Sequence, residues 1–164
     1  MDLQRIKQLL IAKFGASCIV DEELSGLQPA LLIHKDFILG VCQELRDHNE
    51  TWFDFLSCIS AVDYGVTEGF GVVYHLASIP YRTQLTLKVM LENHREEQVL
   101  PWVDSVSSVW RTADWHEREA FDLMGIFFKN HPDLRRILLP DDWKGYPLRK
   151  DYKDAEEYHG IPIN

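Results

Sequence analysis

The chain has 164 residues, 46% of them hydrophobic and 26% charged, with a formal charge of −9 at pH 7. A length like this buries roughly 70% of the unfolded surface as one domain, and the acidic balance excludes nucleic acid as a natural partner, because phosphate binding needs a basic footprint. Asp54, Asp63 and Lys88 interrupt the apolar runs before any reaches the roughly eighteen residues of a membrane span.

Residues 1–14 carry an apolar stripe of Leu3, Ile6, Leu9, Leu10 and Phe14 interleaved with Arg5, Lys7 and Lys13. This is an amphipathic helix and not a secretion signal, so a cytosolic location is expected. Cys18, Cys42 and Cys58, odd in number and in apolar surroundings, read as reduced, buried thiols. After Gly15 a short strand is expected at 18–20, an acidic loop at 21–29 and a second strand at 30–33. Asp36 caps a helix with the stripe Ile38, Val41, Cys42 and Leu45.

The apolar run 52–64 reads as a segment whose first half is open to helix. Gly65 to Gly69 then form a hairpin turn into a strand. Residues 84–92 alternate cleanly, Leu85, Leu87, Val89 and Leu91 on one side, and pair with 70–79 around Pro80-Tyr81-Arg82. Residues 99–110 are a short helix or turn. Residues 114–124 form a helix in which Asp114 is the N-cap, Glu117 the capping-box carboxylate, Arg118 and Asp122 an i, i+4 ion pair, and Gly125 the left-handed terminator. Ile126 to Phe128 is a buried strand. The expected class is α+β, with an antiparallel or mixed sheet of about four strands, helices on one face, the capped helix and an extended C-terminal segment. Residues 1–128 make the domain and 129–164 the tail.

That tail holds Pro132, Pro140 and Pro147, Trp143, Tyr146 and the cations Lys129, Arg135, Arg136, Lys144, Arg149 and Lys150. With little room for a regular element, it reads as a segment laid across another surface, its arginine forks clamping a neighbour's carboxylates. Chemistry is sparse elsewhere. The cysteines lack metal-ligand spacing, His116-Glu117 lacks the second zincin histidine because Ala120 occupies that position, and Gly65, Gly69 and Gly71 lack dinucleotide spacing. Glu117, Glu119 and Asp122 are candidate acid/base carboxylates, set against capping and ion pairing.

The run Trp115-His116-Glu117-Arg118-Glu119 through Asp122 and Gly125, then His131-Pro132-Asp133-Leu134-Arg135-Arg136, and Gly145-Tyr146-Pro147-Leu148-Arg149-Lys150-Asp151, resembles the signature of the 30 kDa subunit family of respiratory complex I, the C-type subunits of NADH-quinone oxidoreductases. About forty consecutive positions follow it, and the chain is similar to the short bacterial form. The resemblance implies a peripheral-arm subunit that itself carries no flavin, iron–sulfur cluster or metal, the FMN, clusters and quinone belonging to the rest of the complex. It implies packing against a homologue of the complex's D-type subunit beside the quinone-reducing site, on the cytoplasmic side of the bacterial inner membrane. Glu117, Arg118, Glu119 and Asp122 would hold the helix and its junction. Arg135, Arg136, Gly145, Pro147, Arg149, Lys150 and Asp151 would run along the partner, so Arg149→Glu is expected to harm assembly more than folding. The rivals are the same module in a ferredoxin-driven complex or membrane-bound hydrogenase, and, more distantly, a free-standing hydrolase using Glu117, Glu119 and Asp122.

Overall fold

The computed structural model describes residues 2–24, 28–96 and 99–162. Three helices, α1 (Leu3–Phe14), α2 (Ile38–Asp47) and α3 (Ala113–Met124), accompany strands β1 (Ile19–Glu23), β2 (Ala30–Ile33), β3 (Phe55–Gly65), β4 (Gly69–Ser78), β5 (Thr83–Leu91), β6 (Trp102–Asp104), β7 (Phe127–Lys129), β8 (Glu157–Tyr158) and β9 (Ile161–Pro162). The first five form one sheet in the order β1-β2-β5-β4-β3. The sheet is mixed: β2 lies parallel to β5 and every other pair is antiparallel. The α+β class therefore holds, with five strands in the main sheet.

One sheet face makes the core. Alternation sends Leu85, Leu87, Val89 and Leu91 of β5, with Val72, Tyr74 and Leu76 of β4, into a cluster closed by Ile6 and Leu10 of α1 and Val41, Cys42 and Leu45 of α2. Each large apolar side chain withdrawn from water contributes about 1.5 to 3 kcal/mol. The hairpins expected at Gly65 to Gly69 and at Pro80 to Arg82 join β3 to β4 and β4 to β5.

Several expectations from the sequence are corrected, among them the short helix or turn at 99–110, where Trp102–Asp104 form β6. Residues 55–65 form a single strand with no helical half; the register shifts between Leu56 and Cys58, so Leu56 and Ile59 are both buried at a spacing of three. A β-bulge thus imitates a helical period. Asp21 to Glu23 belong to β1, where Lys7 and Lys88 neutralise Glu22 and Glu23; residues 25–27 of the expected loop lie outside the described residues. Cys18 and Cys42 are buried, but Cys58 is only half-buried.

Helix α3 starts at Ala113, its N-cap Thr112 makes no side-chain capping bond, and Asp114 lies inside the first turn. Its far end matches expectation: Gly125 has φ 66° and its N–H donates to the carbonyl of Phe121 at 2.9 Å. A Cβ there would stand 2.5 Å from Cε2 of Tyr146 and 2.6 Å from Nη2 of Arg149. Gly125→Ala should therefore cost about 3 kcal/mol, seen as a fall of roughly 10 °C in Tm, from left-handed strain plus displacement of both side chains. An unchanged Tm would show that the tail yields freely at this point.

Candidate functional site

After β7 the chain has little regular structure, yet it does not project away from the domain. Residues 131–152 fold back over α3, and each fixed point is a polar contact between the strap and the domain. The expectation of a tail unable to bury itself is corrected on this count.

The first fixed point is Asp122. Its carboxylate is fully buried; Oδ2 accepts the N–H groups of Ile137, Leu138 and Leu139 at 2.9, 2.7 and 3.0 Å. Oδ1 accepts from Nη1 of Arg136 at 2.9 Å. Burial opposes its ionisation, but the three backbone donors and Arg136 outweigh burial and hold the carboxyl below its usual range. Arg136 extends the lock by donating to the carbonyls of Trp143 and Gly145. The expected Arg118–Asp122 pair is therefore replaced by Arg136–Asp122. Arg118, itself buried, stacks on Trp115 and donates Nε–H to the carbonyl of Arg135 at 3.3 Å.

The second is Arg149, only 7% exposed. Its guanidinium donates to the carbonyls of Met124 at 2.7 Å and Gly125 at 3.2 Å. These are carbonyls that the end of α3 leaves without an intrahelical donor, so a cation satisfies them and complements the helix dipole. The same group lies over the rings of Phe70 and Tyr146, and burial pushes it below its usual pKa.

The third is Asp63, which in the sequence is only a break in an apolar run. It is buried in β3 and takes two bonds from Arg95, at 2.6 and 3.0 Å, one from Gly65 N–H and one from Lys150 N–H, both at 2.8 Å. Arg95 foremost, against the opposing effect of burial, keeps this carboxyl far below its ordinary value. Arg95 also holds Asp151 at 2.9 Å. A carboxylate inside an apolar strand run is the signal that could have exposed Asp63, because an unpaired charge there is costly.

Glu117 is not a capping-box residue. It is fully buried and accepts from Ser105 Oγ at 2.5 Å and Val106 N–H at 2.7 Å, joining α3 to the turn after β6. His131, whose side chain is also buried, takes Asp133 N–H on Nδ1 at 3.0 Å. That places its proton on Nε2, facing the Asp114 carbonyl at 3.2 Å and Glu117 Oε2 at 3.8 Å. Burial is the main reason the Glu117 carboxyl is pushed up to about 7, against the lowering by Ser105 and Val106. The Asp114 carboxylate, whose Oδ1 lies 3.4 Å from His131 Nε2, raises the Glu117 carboxyl further by like-charge repulsion, and Tyr74 on β4 and Cys42 on α2 are also near it. A raised folded pKa means the native state holds the proton more tightly than the unfolded chain. Stability is then greatest below pH 4.5 and falls as pH rises through 7, by up to about 3 kcal/mol from this group. Glu117→Gln keeps the acceptor for Val106 and supplies a donor for Ser105. It should flatten the slope of stability between about pH 5 and 7 in urea melts; an identical slope would remove Glu117 as its cause.

The structure brings Arg136, Gly145, Arg149, Lys150 and Asp151 together with Asp122 and Gly125, and His131 with Glu117. Arg135 remains exposed and pairs with Asp133, and Pro132 and Glu119 are exposed. The three candidate acid/base carboxylates do not share a site: Glu117 faces Ser105, Asp122 faces Arg136, and Glu119 faces outward. Among the described residues no group of three or more His, Cys, Asp or Glu is arranged to hold a metal, and no helix is long and apolar enough to cross a membrane.

Fold and site together define an α+β domain with a C-terminal strap, in which the most distinctive charged residues serve as internal struts. The family described as "Respiratory-chain NADH dehydrogenase, 30 Kd subunit" matches residues 31–158, and the chain belongs to it. A relative from Chloroherpeton thalassium, named as the C subunit of NADH-quinone oxidoreductase, is 44% identical over 92% of the chain, which spans 61% of that relative's own length. One of the same name from Chlorobium phaeobacteroides is 39% identical over 98% of both chains. Among solved structures, one titled "Nqo5 of the trypsin-resistant fragment (1-134)" is similar with a TM-score of 0.63 and 27% identity, covering 82% of this chain and all of that one.

Proposed function

We propose that this chain is a cofactor-free scaffold subunit in the peripheral arm of an ion-translocating NADH:quinone oxidoreductase, packed against the D-type subunit homologue near the quinone-reducing site on the cytoplasmic face of the membrane. Membership of the 30 kDa family supports its place in such a complex. The observation that carries the scaffold role is the fate of its buried charged residues. Asp122, Arg136, Arg149, Asp63 and Arg95 bind one another or backbone groups, so they give the strap a fixed shape. A rigid strap offers a partner a preorganised surface, lowering the ordering cost of association.

On this reading the strap's outward side chains meet the partner: Leu138 and Leu148 are 61% and 57% exposed, and Arg135 and Lys150 are exposed beside them. The test is an affinity pull-down from detergent-solubilised membranes with a tag at the N-terminus, followed by mass spectrometry. Recovery with a D-type subunit homologue and NADH-oxidising subunits is expected. A nickel hydrogenase partner would move the same scaffold to a related complex, and a chain recovered alone would overturn the proposal.

A further inference from the structure

Strand β3 is eleven residues long and forms one edge of the main sheet. Folded proteins protect such edges with lysine, proline, short length or inward charge. The opposite edge follows this practice, since β1 has five residues and three of them, Asp21 to Glu23, are acidic. The run Phe55-Leu56-Ser57-Cys58-Ile59-Ser60-Ala61-Val62 contains no charge and no proline; the one inward charge, Asp63, lies beyond it, and α3 packs against β3 but leaves hollows along the strand. In an antiparallel ladder with β4, alternate residues of β3 turn N–H and C=O outward.

Two hollows follow one another along this edge. One, of about 510 Å³, is lined by Asp54, Phe55 and Leu56 on the strand side and by Trp110, Arg111 and Thr112 opposite. The next, of about 220 Å³, is lined by residues 58–61 on the strand side and by α3 and Leu148 of the strap on the other, with Ala120 and Met124 in its lining. Successive strand residues point to opposite faces, so a hollow lined by four in a row borders the backbone edge itself. Residues 54–61 amount to about 25 Å of extended chain.

We infer that this trough seats an extended segment of another subunit, which joins the main sheet as a sixth strand beside β3. The inference rests on the reading of the chain as one subunit of a larger complex. The segment's chemistry follows from the walls. Arg111 lines the first hollow and Glu119 the second, and neither makes an ion pair among the described residues. The fitting partner is about six to eight residues long by the strand rise, apolar at alternate positions, with an acid toward Arg111 and a base toward Glu119. Strand addition draws affinity from backbone hydrogen bonds and selectivity from the alternate side chains. A second copy of this chain fits poorly, because it would bring its own α3, packed against its own β3, up to the α3 already lying along the trough.

Cys58 supplies a native reporter, because it is the one half-buried cysteine of the three and it lines the trough. Maleimide labelling of Cys58 and amide hydrogen exchange over residues 55–62 would be compared in the purified full-length chain and in the complex recovered through an N-terminal tag. The inference expects Cys58 to label and alternate β3 amides to exchange freely in the chain alone. In the complex, labelling should drop at least about tenfold and those amides slow by about a hundredfold. Glu119→Lys should lower recovery of the complex about fivefold while leaving the Tm of the isolated chain unchanged. Recovery of the complex with β3 still open overturns strand addition alone. Protection already present in the isolated chain and growing with its concentration assigns the trough to a second copy and also overturns it. Failure to recover any complex overturns the subunit reading and this inference with it.

Discussion

Replacing Asp122 with alanine is expected to free residues 135–148 from α3 and to cost the isolated chain about 4 kcal/mol. One buried carboxylate satisfies three consecutive backbone N–H groups and the Arg136 guanidinium. Alanine strands all four donors at once, and removing one partner of a buried ion pair costs about 3 to 5 kcal/mol. The readouts are a urea melt and hydrogen exchange at Ile137, Leu138 and Leu139. If those three amides stay protected in the variant, Asp122 is not what holds them. The same lock carries a pH signature. Because the folded carboxyl lies below its ordinary value of 3.8, its contribution is complete above that pH and is lost as pH falls through the folded pKa.

Arg149→Glu should destabilise the isolated chain by a similar amount, about 4 kcal/mol, before any partner is present. This reverses the expectation drawn from resemblance, in which the residue mattered to assembly more than to folding. A glutamate would aim its charge at the carbonyls of Met124 and Gly125, at the negative end of α3, and lose the stacking on Phe70 and Tyr146. Arg149→Lys keeps the charge but cannot bridge both carbonyls and stack as a plane, so an intermediate loss of about 2 kcal/mol is expected. Comparing the urea midpoints of the three isolated chains decides the matter. A wild-type midpoint for Arg149→Glu, together with failed assembly, would return the residue to the partner interface.

Much of the fold was readable along the chain because the signals are local. The stripe of α1, the alternation of β5, the turn at Gly65 to Gly69 and the left-handed stop at Gly125 each depend on a few neighbouring residues. The misreadings share a cause. Residues 52–64 are apolar almost throughout and so show no strand alternation; a bulge puts Leu56 and Ile59 in the core three apart, and only pairing with β4 reveals the strand. Asp21 to Glu23 looked like a loop because the lysines that make them tolerable on a strand come from positions 7 and 88.

The charged residues divide in the same way. That Glu117, Asp122, Arg136, Arg149 and Asp151 matter, and that they belong with a family of respiratory-chain subunits, was legible from residue order alone, since a run of about forty positions carries that information without folding. Which of them meet was decided by tertiary structure. Arg118 lies one helical turn from Asp122 and would form an ordinary surface pair, worth a few tenths of a kcal/mol. The strap instead buries Asp122 under three backbone N–H groups, and only a fork reaching back from Arg136 lets that charge stay out of water. Local spacing ranks contacts by proximity along the chain, whereas a folded interior ranks them by which arrangement leaves no buried charge without hydrogen-bond partners; at Asp122, Asp63 and Arg149 the interior prevailed.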